Sequence, residues 1–345
     1  WTITDGGLIP TFVSNWSIPS DDKTLALPIT AYYQGNVEVD WGDGSEPSNS
    51  LSHEYREEGT YKVKVYGKGE FGIASNNTTH ASKLVSIEGW GDIKVKNDGY
   101  QFYKCSNLVD VGDIDVSNVT NMSYMFNEAT SFNQDISSWN VSKVTNMSNM
   151  FDRATSFNQD ISGWDVSNVT DMSYMFQGVT SFNQDIGSWD VSNVTNVYRM
   201  FYNASNFNQD LSGWDVSNVT NMRDMLNGVT LSTDNYDSLL LSWSQQDVRR
   251  GVDFHGGYSQ YSSVAVDARQ VLVDKDWTIT DGGLVPTFVS TWNIQEDDLS
   301  LILPIANQTQ DFMVDWGDGT INSTLSHEYQ EEGVYEVIVT GDGLF

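Results

Sequence analysis

The chain has 345 residues, and its 47 Asp and Glu residues against 17 Lys and Arg residues give a formal net charge of −30. Such an acidic surface repels phosphate groups, which argues against nucleic acid or anionic lipid as a partner. The hydrophobic content of 39% is too high for a disordered acidic chain, no run of about 18 apolar residues predicts a membrane span, and the single cysteine excludes a disulfide framework.

A long internal repeat organises the chain. The stretch WTITDGGL at Trp1 returns at Trp277, and VDWGDG places Trp41 against Trp316, so the period is about 275 residues. We therefore predict tandem modules, of which this chain holds one in full and the start of a second. It is interpreted as a window from a longer array, whose secretion signal and anchor lie outside it.

A strand-rich domain is predicted near the start of each module. The stretches TLALPIT, NVEVDW and TYKVKVYG are bounded by Gly, Pro and Asp, which is typical of strands. Tyr61, Val63 and Val65 alternate with two lysines, so one sheet face is expected to be buried and the other wet. The domain is placed at residues 10–72 and begins again at 286–345, while residues 1–9 are assigned to the end of a preceding cap.

A second, shorter repeat fills the middle of the module. It carries columns of identical residues at a 25-residue spacing, such as Phe126, Phe151, Phe176 and Phe201. Its apolar spacings suit neither one long helix nor one long strand, and predict a coil that turns back once per unit and stacks on its neighbours. In each coil SxxMF predicts a helical turn and VSNVT a short strand. The repeat region is placed at 73–285, with a leading segment at 73–101, coils at 102–230 and a C-terminal cap at 231–285.

Two helices are predicted in the cap. Tyr236, Leu239, Leu240 and Trp243 fall on one helical face, and a second apolar face runs from Val264 to Leu272. They are expected near 234–244 and 262–274, where they would cover the last coil.

Two families resemble parts of this sequence. VTNMSYMFNEATSFNQDISSWNVS resembles the 25-residue repeat of bacterial surface proteins of the BspA type, a leucine-rich-repeat-like class, and the match runs from about Lys83 to Trp277. VDWGDGS followed by SHEYREEGTYKVKV resembles the PKD domain. These resemblances imply a repeat solenoid of short strands and helical turns, combined with immunoglobulin-like PKD-type β-sandwiches. They also imply a cell-surface or secreted adhesin.

The sequence offers no catalytic motif. GxSxG, HExxH, a phosphate-binding loop and CxxC are all missing from it, so we do not expect an enzyme. His53 and His327 occupy the same position in the two module copies and are expected to hydrogen-bond a turn. Cys105 stands where other units carry Ala129 or Ala154, which predicts a buried small side chain.

A tryptophan column is the candidate binding surface. One tryptophan per unit recurs at the 25-residue spacing: Trp139, Trp164, Trp189 and Trp214. Stacked tryptophans could fill the core, or could form an exposed strip that holds sugar rings or protein side chains. The sequence leaves both interpretations open.

Acidic columns are the candidate metal sites. Asp135, Asp160, Asp185 and Asp210 recur in register, and like charges about 5 Å apart repel by roughly 0.8 kcal/mol in a water-like dielectric. Backbone N–H donors, raised pKa values or a cation such as Ca²⁺ would offset this repulsion. A second candidate Ca²⁺ site consists of the acidic pairs near the strand loops: Asp21, Asp22, Asp297 and Asp298.

The sequence thus predicts a non-enzymatic segment of a modular bacterial cell-surface adhesin, either outer-membrane-anchored or secreted. Its partners would be a glycan or a protein on a surface or neighbouring cell, together with adjacent modules of the same chain. The alternative is a purely structural stalk or filament, with binding located elsewhere in the protein.

Overall fold

A computed structural model describes residues 11–32, 37–73, 78–296, 298–305 and 312–341. In this part the strands form six small sheets, accompanied by two α-helices and two short 3-10 helices at Ala81–Lys83 and Ser263–Ala265. The predicted end of a preceding cap at residues 1–9 lies outside the described residues.

The first strand region, residues 11–73, is built around one long strand. Its strands are β1 (Thr11–Ile18), β2 (Thr24–Ala26), β3 (Ile29–Ala31), β4 (Val37–Asp40), β5 (Ser52–Glu54), β6 (Gly59–Gly67) and β7 (Gly69–Phe71). Alternate residues of β1 are buried, including Phe12 and Trp16, because successive side chains of a strand point to opposite faces. β6 pairs antiparallel with both β1 and β4.

The leading segment joins these sheets. It forms β8 (Leu84–Gly89), which pairs antiparallel with the second edge of β1, and β9 (Ile93–Val95), which pairs parallel with β7. The buried ammonium of Lys83 donates to the backbone carbonyls of Asp22 and Thr24 at 2.8 and 2.5 Å. The segment before the repeats therefore completes the first strand region.

The predicted solenoid of short strands and helical turns is wrong. Residues 96–232 contain no strand and no helix, only turns, bends and single-residue bridges such as Asn121↔Asn146. The reason lies in residues with positive φ, two in most units, exemplified by Tyr124 and Glu128 at 58°. A left-handed residue interrupts both a helix and a strand.

Backbone hydrogen bonds nevertheless join successive units in register. Within one unit, the N–H groups of Tyr124, Phe126 and Glu128 donate to carbonyls of the next unit, at 2.8 to 2.9 Å. The same pattern recurs from unit to unit, so these donors point toward the C-terminal end of the stack, while the N–H of Thr145 and of its counterparts donates to the preceding unit. We call the joined units the repeat stack, residues 102–230.

The predicted immunoglobulin-like sandwich is also corrected. Several strands of the first strand region are only three residues long, and they divide into a four-stranded, a three-stranded and a two-stranded sheet. Two of these sheets include β8 or β9 from the leading segment. The fold is therefore a β-rich assembly of small sheets beside the repeat stack.

Phenylalanine side chains form the centre of the repeat stack. Phe126, Phe151, Phe176 and Phe201 are fully buried, and their rings stack at centroid distances of 5.6 to 5.7 Å. A second phenylalanine ring of each unit lies 3.9 to 4.1 Å from the first, centroid to centroid: Phe132, Phe157, Phe182 and Phe207. One continuous core runs from Phe12 to Trp277, so the first strand region and the repeat stack share it. The proposed domain boundaries themselves stay predictions.

The two predicted cap helices are confirmed. α1 (Thr233–Ser244) begins after Ser232, whose side chain accepts from the N–H of Asn235, and α2 (Val266–Val273) follows Ser263–Ala265. Between them β10 (Asp253–His255) pairs parallel with β11 (Thr278–Thr280). The carbonyl of His255 accepts from the N–H of Leu226, so the cap continues the backbone bonding of the last unit.

The second strand region, residues 287–341, repeats the first on a smaller scale. Its strands are β12 (Thr287–Ile294), β13 (Ser300–Ile302), β14 (Phe312–Asp315), β15 (Ile321–Asn322), β16 (Ser326–Glu328) and β17 (Gly333–Gly341). β12 pairs antiparallel with β17 along its length, as β1 does with β6. A separate small core extends from Ile294 to Val339.

Replacing Phe176 with Ala should destabilise the repeat stack by about 3–5 kcal/mol, because a fully buried ring between two stacked neighbours leaves a cavity. Denaturant unfolding followed by circular dichroism measures this loss. Thr180→Ala, at an exposed site of the same unit, serves as the control and should change stability by less than about 0.5 kcal/mol. Equal stability of the two variants would contradict a core built on this column.

Candidate functional site

Three of the four column tryptophans are core residues. Trp164, Trp189 and Trp214 are at most 4% exposed. Each indole Nε1–H donates to a backbone carbonyl of the preceding unit, on Ile136, Ile161 and Ile186, at 2.9 to 3.1 Å. Of the two interpretations left open by the sequence, burial therefore favours the core for these three indoles, which pack the interior and donate to a carbonyl of the preceding unit.

Trp139, at the first position of the column, differs. Its side chain is only partly buried and packs against Phe126 at a ring distance of 5.9 Å. The carbonyl at the equivalent position before it belongs to Val111, and it accepts from the indole of Trp90 at 2.8 Å. Among the described residues the Trp139 indole N–H makes no hydrogen bond, so this donor can serve a ligand.

Trp139 lines an open groove of about 640 Å³. The first-repeat groove, as we call it, lies between two turns at residues 110–117 and 134–140. Four carboxylates line it: Asp110, Asp113, Asp115 and Asp135. One partly buried indole and four carboxylates thus line one cavity.

Hydrogen bonds to the backbone hold the walls of this groove. The side-chain carbonyl of Gln134 accepts from the N–H of Val111 at 2.7 Å, which ties the two turns together. Hydrogen bonds from the Ser117 side chain and backbone lower the pKa of Asp115, and the backbone N–H of Ser137 lowers that of Asp135. Both groups are therefore ionised at neutral pH and accept hydrogen bonds.

The acidic column caps turns. Asp135, Asp160, Asp185 and Asp210 are exposed, and one oxygen of each accepts from the N–H two residues further on, at 2.8 to 3.0 Å. This arrangement is the Asx turn, which offsets the repulsion between units by backbone donors. Of the alternatives left open by the sequence, the geometry favours turn capping.

The second acidic candidate is an ion pair. Asp22 Oδ2 lies 2.7 Å from the Lys83 ammonium, and this contact, reinforced by Thr24, holds the pKa of Asp22 far below its usual range. Asp21 is exposed, while Asp298 accepts from the N–H and the hydroxyl of Ser300. Asp297 lies outside the described residues. Within those residues no group of three or more His, Cys, Asp or Glu side chains is arranged to hold a metal ion.

The two module histidines hydrogen-bond a turn, as predicted. His53 Nε2 lies 2.8 Å from Asp43 Oδ2, and His327 Nε2 lies 2.7 Å from Asp318 Oδ2. The His53 ring stacks on Trp41 at 5.0 Å. Partial burial raises the pKa of Asp43, but hydrogen bonds from Ser45 and His53 outweigh it and lower the pKa to about 2.

Cys105 is fully buried, as predicted, and burial raises the pKa of its thiol, so it remains protonated.

An asparagine column was missed by the sequence reasoning. The side-chain oxygen of Asn133 accepts from the N–H of Asn158 at 2.9 Å, and the same bond repeats in the following units through Asn183 and Asn208. The column ends on the N–H of Ser232, directly before α1. The recurring Asn of FNQD marks this column in the sequence.

Calcium is expected to leave the melting temperature unchanged. The column carboxylates are satisfied by backbone donors, and Asp22 is paired with Lys83, so neither set offers converging oxygens. Thermal unfolding in millimolar Ca²⁺ and in EDTA, at matched ionic strength, measures the difference. An upward shift with Ca²⁺ alone would overturn the turn-cap assignment.

Acid should destabilise the first strand region through Asp43. Its pKa falls from 3.8 to about 2 on folding, so its contribution is complete above about pH 4 and disappears as the pH falls toward 2. Asp43→Asn should therefore melt lower than the parent at pH 6, and the gap should narrow at pH 2. Glu57→Gln, at a nearby exposed carboxylate, is the control. A gap that is constant across this range would contradict the assignment.

Comparison with known proteins gives one family match. Residues 73–172 and 139–239 are each similar to the family described as Mycoplasma protein of unknown function, DUF285. No curated protein and no solved structure matches the chain. No helix in the described part is long and apolar enough to cross a membrane. The family match, which comprises the leading segment, the whole repeat stack and the start of α1, is compatible with a BspA-like surface protein.

Proposed function

We propose that this chain is a non-enzymatic segment of a modular bacterial cell-surface adhesin, outer-membrane-anchored or secreted, whose first-repeat groove binds a glycan. The observation that carries the proposal is the placement of Trp139. It is the column tryptophan with an accessible ring and an indole N–H that has no acceptor among the described residues. The BspA-type sequence resemblance and the family match over the leading segment and repeats support a surface role.

The groove chemistry favours a sugar. Carbohydrate rings present apolar C–H faces, which pack on an indole, and hydroxyl groups, which donate to carboxylates. Asp115 and Asp135 are ionised acceptors on the two sides of the groove. A neutral or amino sugar fits this arrangement, whereas an anionic sugar would be repelled by the groove and by the net charge of −30.

The repeat stack supplies rigidity for presentation of the groove. Trp139 lies on Phe126, whose ring is held between those of Phe102 and Phe151 at 5.3 and 5.6 Å. A binding side chain supported in this way loses little conformational freedom when a ligand arrives. The tandem repeat would carry such grooves along a longer chain, where several weak sites add avidity.

A purely structural stalk is the second candidate. The observation that favours it is the internal use of the other column residues: the remaining tryptophans are buried, and every Asp of the acidic column caps a turn. In that case the first-repeat groove is only the place where the column begins, and binding lies in other parts of the protein.

Trp139→Ala should lower glycan affinity by at least about tenfold, because aromatic stacking and one hydrogen-bond donor are removed together. A glycan array probed with the whole chain identifies the sugar, and titration calorimetry measures the affinity of the parent and the variant. Trp139→Phe, which keeps an aromatic ring but removes the indole N–H, should retain part of the affinity.

Thr145→Ala, an exposed change on the next unit, is the matched control and should bind like the parent. Thermal unfolding of each variant establishes that the fold is retained. Absence of glycan binding by the parent, or equal affinity of the parent and Trp139→Ala, would reject the groove. Binding of a protein instead of a sugar would support the adhesin role but reject the glycan as the ligand of the groove.

A further inference from the structure

Backbone carbonyls at one position of successive units form a column of acceptors for indole N–H groups. Each carbonyl of this column accepts from one tryptophan, at 2.8 to 3.3 Å. In chain order the carbonyls belong to Val111, Ile136, Ile161, Ile186 and Leu211, and their donors are Trp90, Trp164, Trp189, Trp214 and Trp243. Trp139 is a sixth indole beside five acceptors, and its N–H makes no hydrogen bond among the described residues.

The first carbonyl of the column has an unusual donor. The carbonyl of Ile136 accepts from Trp164, which lies 28 residues later, and the next two units repeat this spacing. The same spacing would give the carbonyl of Val111 to Trp139. It accepts instead from Trp90, which lies 21 residues earlier in the chain. The indole of the leading segment therefore occupies the acceptor that the repeat pattern assigns to Trp139.

The backbone around Trp139 does not account for its different position. The N–H of Trp139 donates to the carbonyl of Ile136 at 3.1 Å, and the N–H of Trp164 donates to that of Ile161 at the same distance. The side chain of Val111 is fully buried, as that of Ile136 is. The turn that carries the indole is thus the same in both units, and the difference lies in which indole uses the carbonyl.

We propose that Trp90 is a positioning residue that holds the first-repeat groove open, because it occupies the carbonyl of Val111 and keeps the indole of Trp139 at the groove. When Trp90 withdraws, Trp139 donates to Val111 and packs inward as its column neighbours do, which closes the groove. The consequence for ligand binding rests on the proposed function, whereas the switch between the two indoles is a property of the chain alone.

The two arrangements are closely balanced in hydrogen bonding. In either one, a single indole N–H donates to Val111 and the other is left to water or to a ligand, so the number of bonds is unchanged. Ring contacts of Trp90 favour the open arrangement: its centroid lies 5.6 Å from that of Phe12 and 5.7 Å from that of Phe71. A small change in these contacts is therefore sufficient to shift the population of the two states.

This arrangement couples the groove to the first strand region. Trp90 directly follows β8, which pairs with β1, and the rings that hold it belong to β1 and β7. Docking of the leading segment on the first strand region thus places Trp90 at Val111 and leaves Trp139 available. By linkage, a ligand that holds Trp139 at the groove favours the docked leading segment in return.

The variant Trp90→Phe tests the switch in the full chain, because it keeps a ring and removes the indole donor. Hydrogen exchange of the indole N–H groups is measured by ¹⁵N NMR, and the Trp139 signal is assigned by its loss in Trp139→Phe. Exchange at Trp139 should slow at least tenfold in Trp90→Phe, whereas simple loosening of the fold would accelerate it. Trp277→Phe removes an indole that donates to the carbonyl of Arg249 in the cap, and as the matched control it should leave Trp139 unchanged.

Glycan titration gives the second measurement. A groove that is open for about a tenth of the time binds about tenfold more weakly, which is the loss expected for Trp90→Phe. Trp90→Tyr, which also lacks the indole, should behave alike, and thermal unfolding establishes which variants are folded. Unchanged or faster exchange at Trp139 in a folded variant would overturn the switch, even if the parent binds glycan. Absence of glycan binding by the parent would instead reject the proposed function, while slowed exchange at Trp139 would still support the switch.

Discussion

The in-register backbone hydrogen bonding between 25-residue units is the constraint on which the rest of the molecule depends. Alternate N–H groups around each left-handed residue donate to the next unit, and the N–H of one Thr per unit donates back to the preceding unit. The bonds bring identical side chains into columns, and the columns of Phe rings then exclude water from the interior. Hydrogen bonding and apolar burial thus reinforce each other in every unit, and neither exists without the stacking.

The same constraint explains why the ends of the repeat stack matter for function. Inside the stack each tryptophan indole N–H donates to a carbonyl of the previous unit, so this donor is not available to a ligand. At the first position that carbonyl is already bonded to Trp90, and the column begins with an indole that has no such acceptor. The partly exposed Trp139 beside an open groove at this end of the repeat stack follows from this termination.

Much of the core could be predicted from periodicity, and much of the local path could not. The 25-residue spacing identified the buried Phe column, and the helical spacing of apolar residues identified the two covering helices, because both spacings indicate which side chains are buried. It failed for the conformation within a unit. VSNVT and SxxMF have the composition of a strand and a helical turn. Residues such as Tyr124 and Arg199 nevertheless adopt positive φ, which cannot be predicted from a Tyr or an Arg side chain. The difference between Trp139 and its column neighbours was also hidden, because it depends on a competing bond from Trp90.

The identical contacts between units have a consequence for how this protein can change in length. Each internal unit uses its two neighbours in the same way, so duplication or loss of one whole unit would preserve every backbone bond and ring stack at the new junction. The two ends would remain as they are, since the described residues of the leading segment and of the helical cap bond to the first and last units. Recombination between repeats can therefore lengthen or shorten the molecule in whole steps, and a lineage could adjust the separation of its terminal surfaces without having to evolve a new interface.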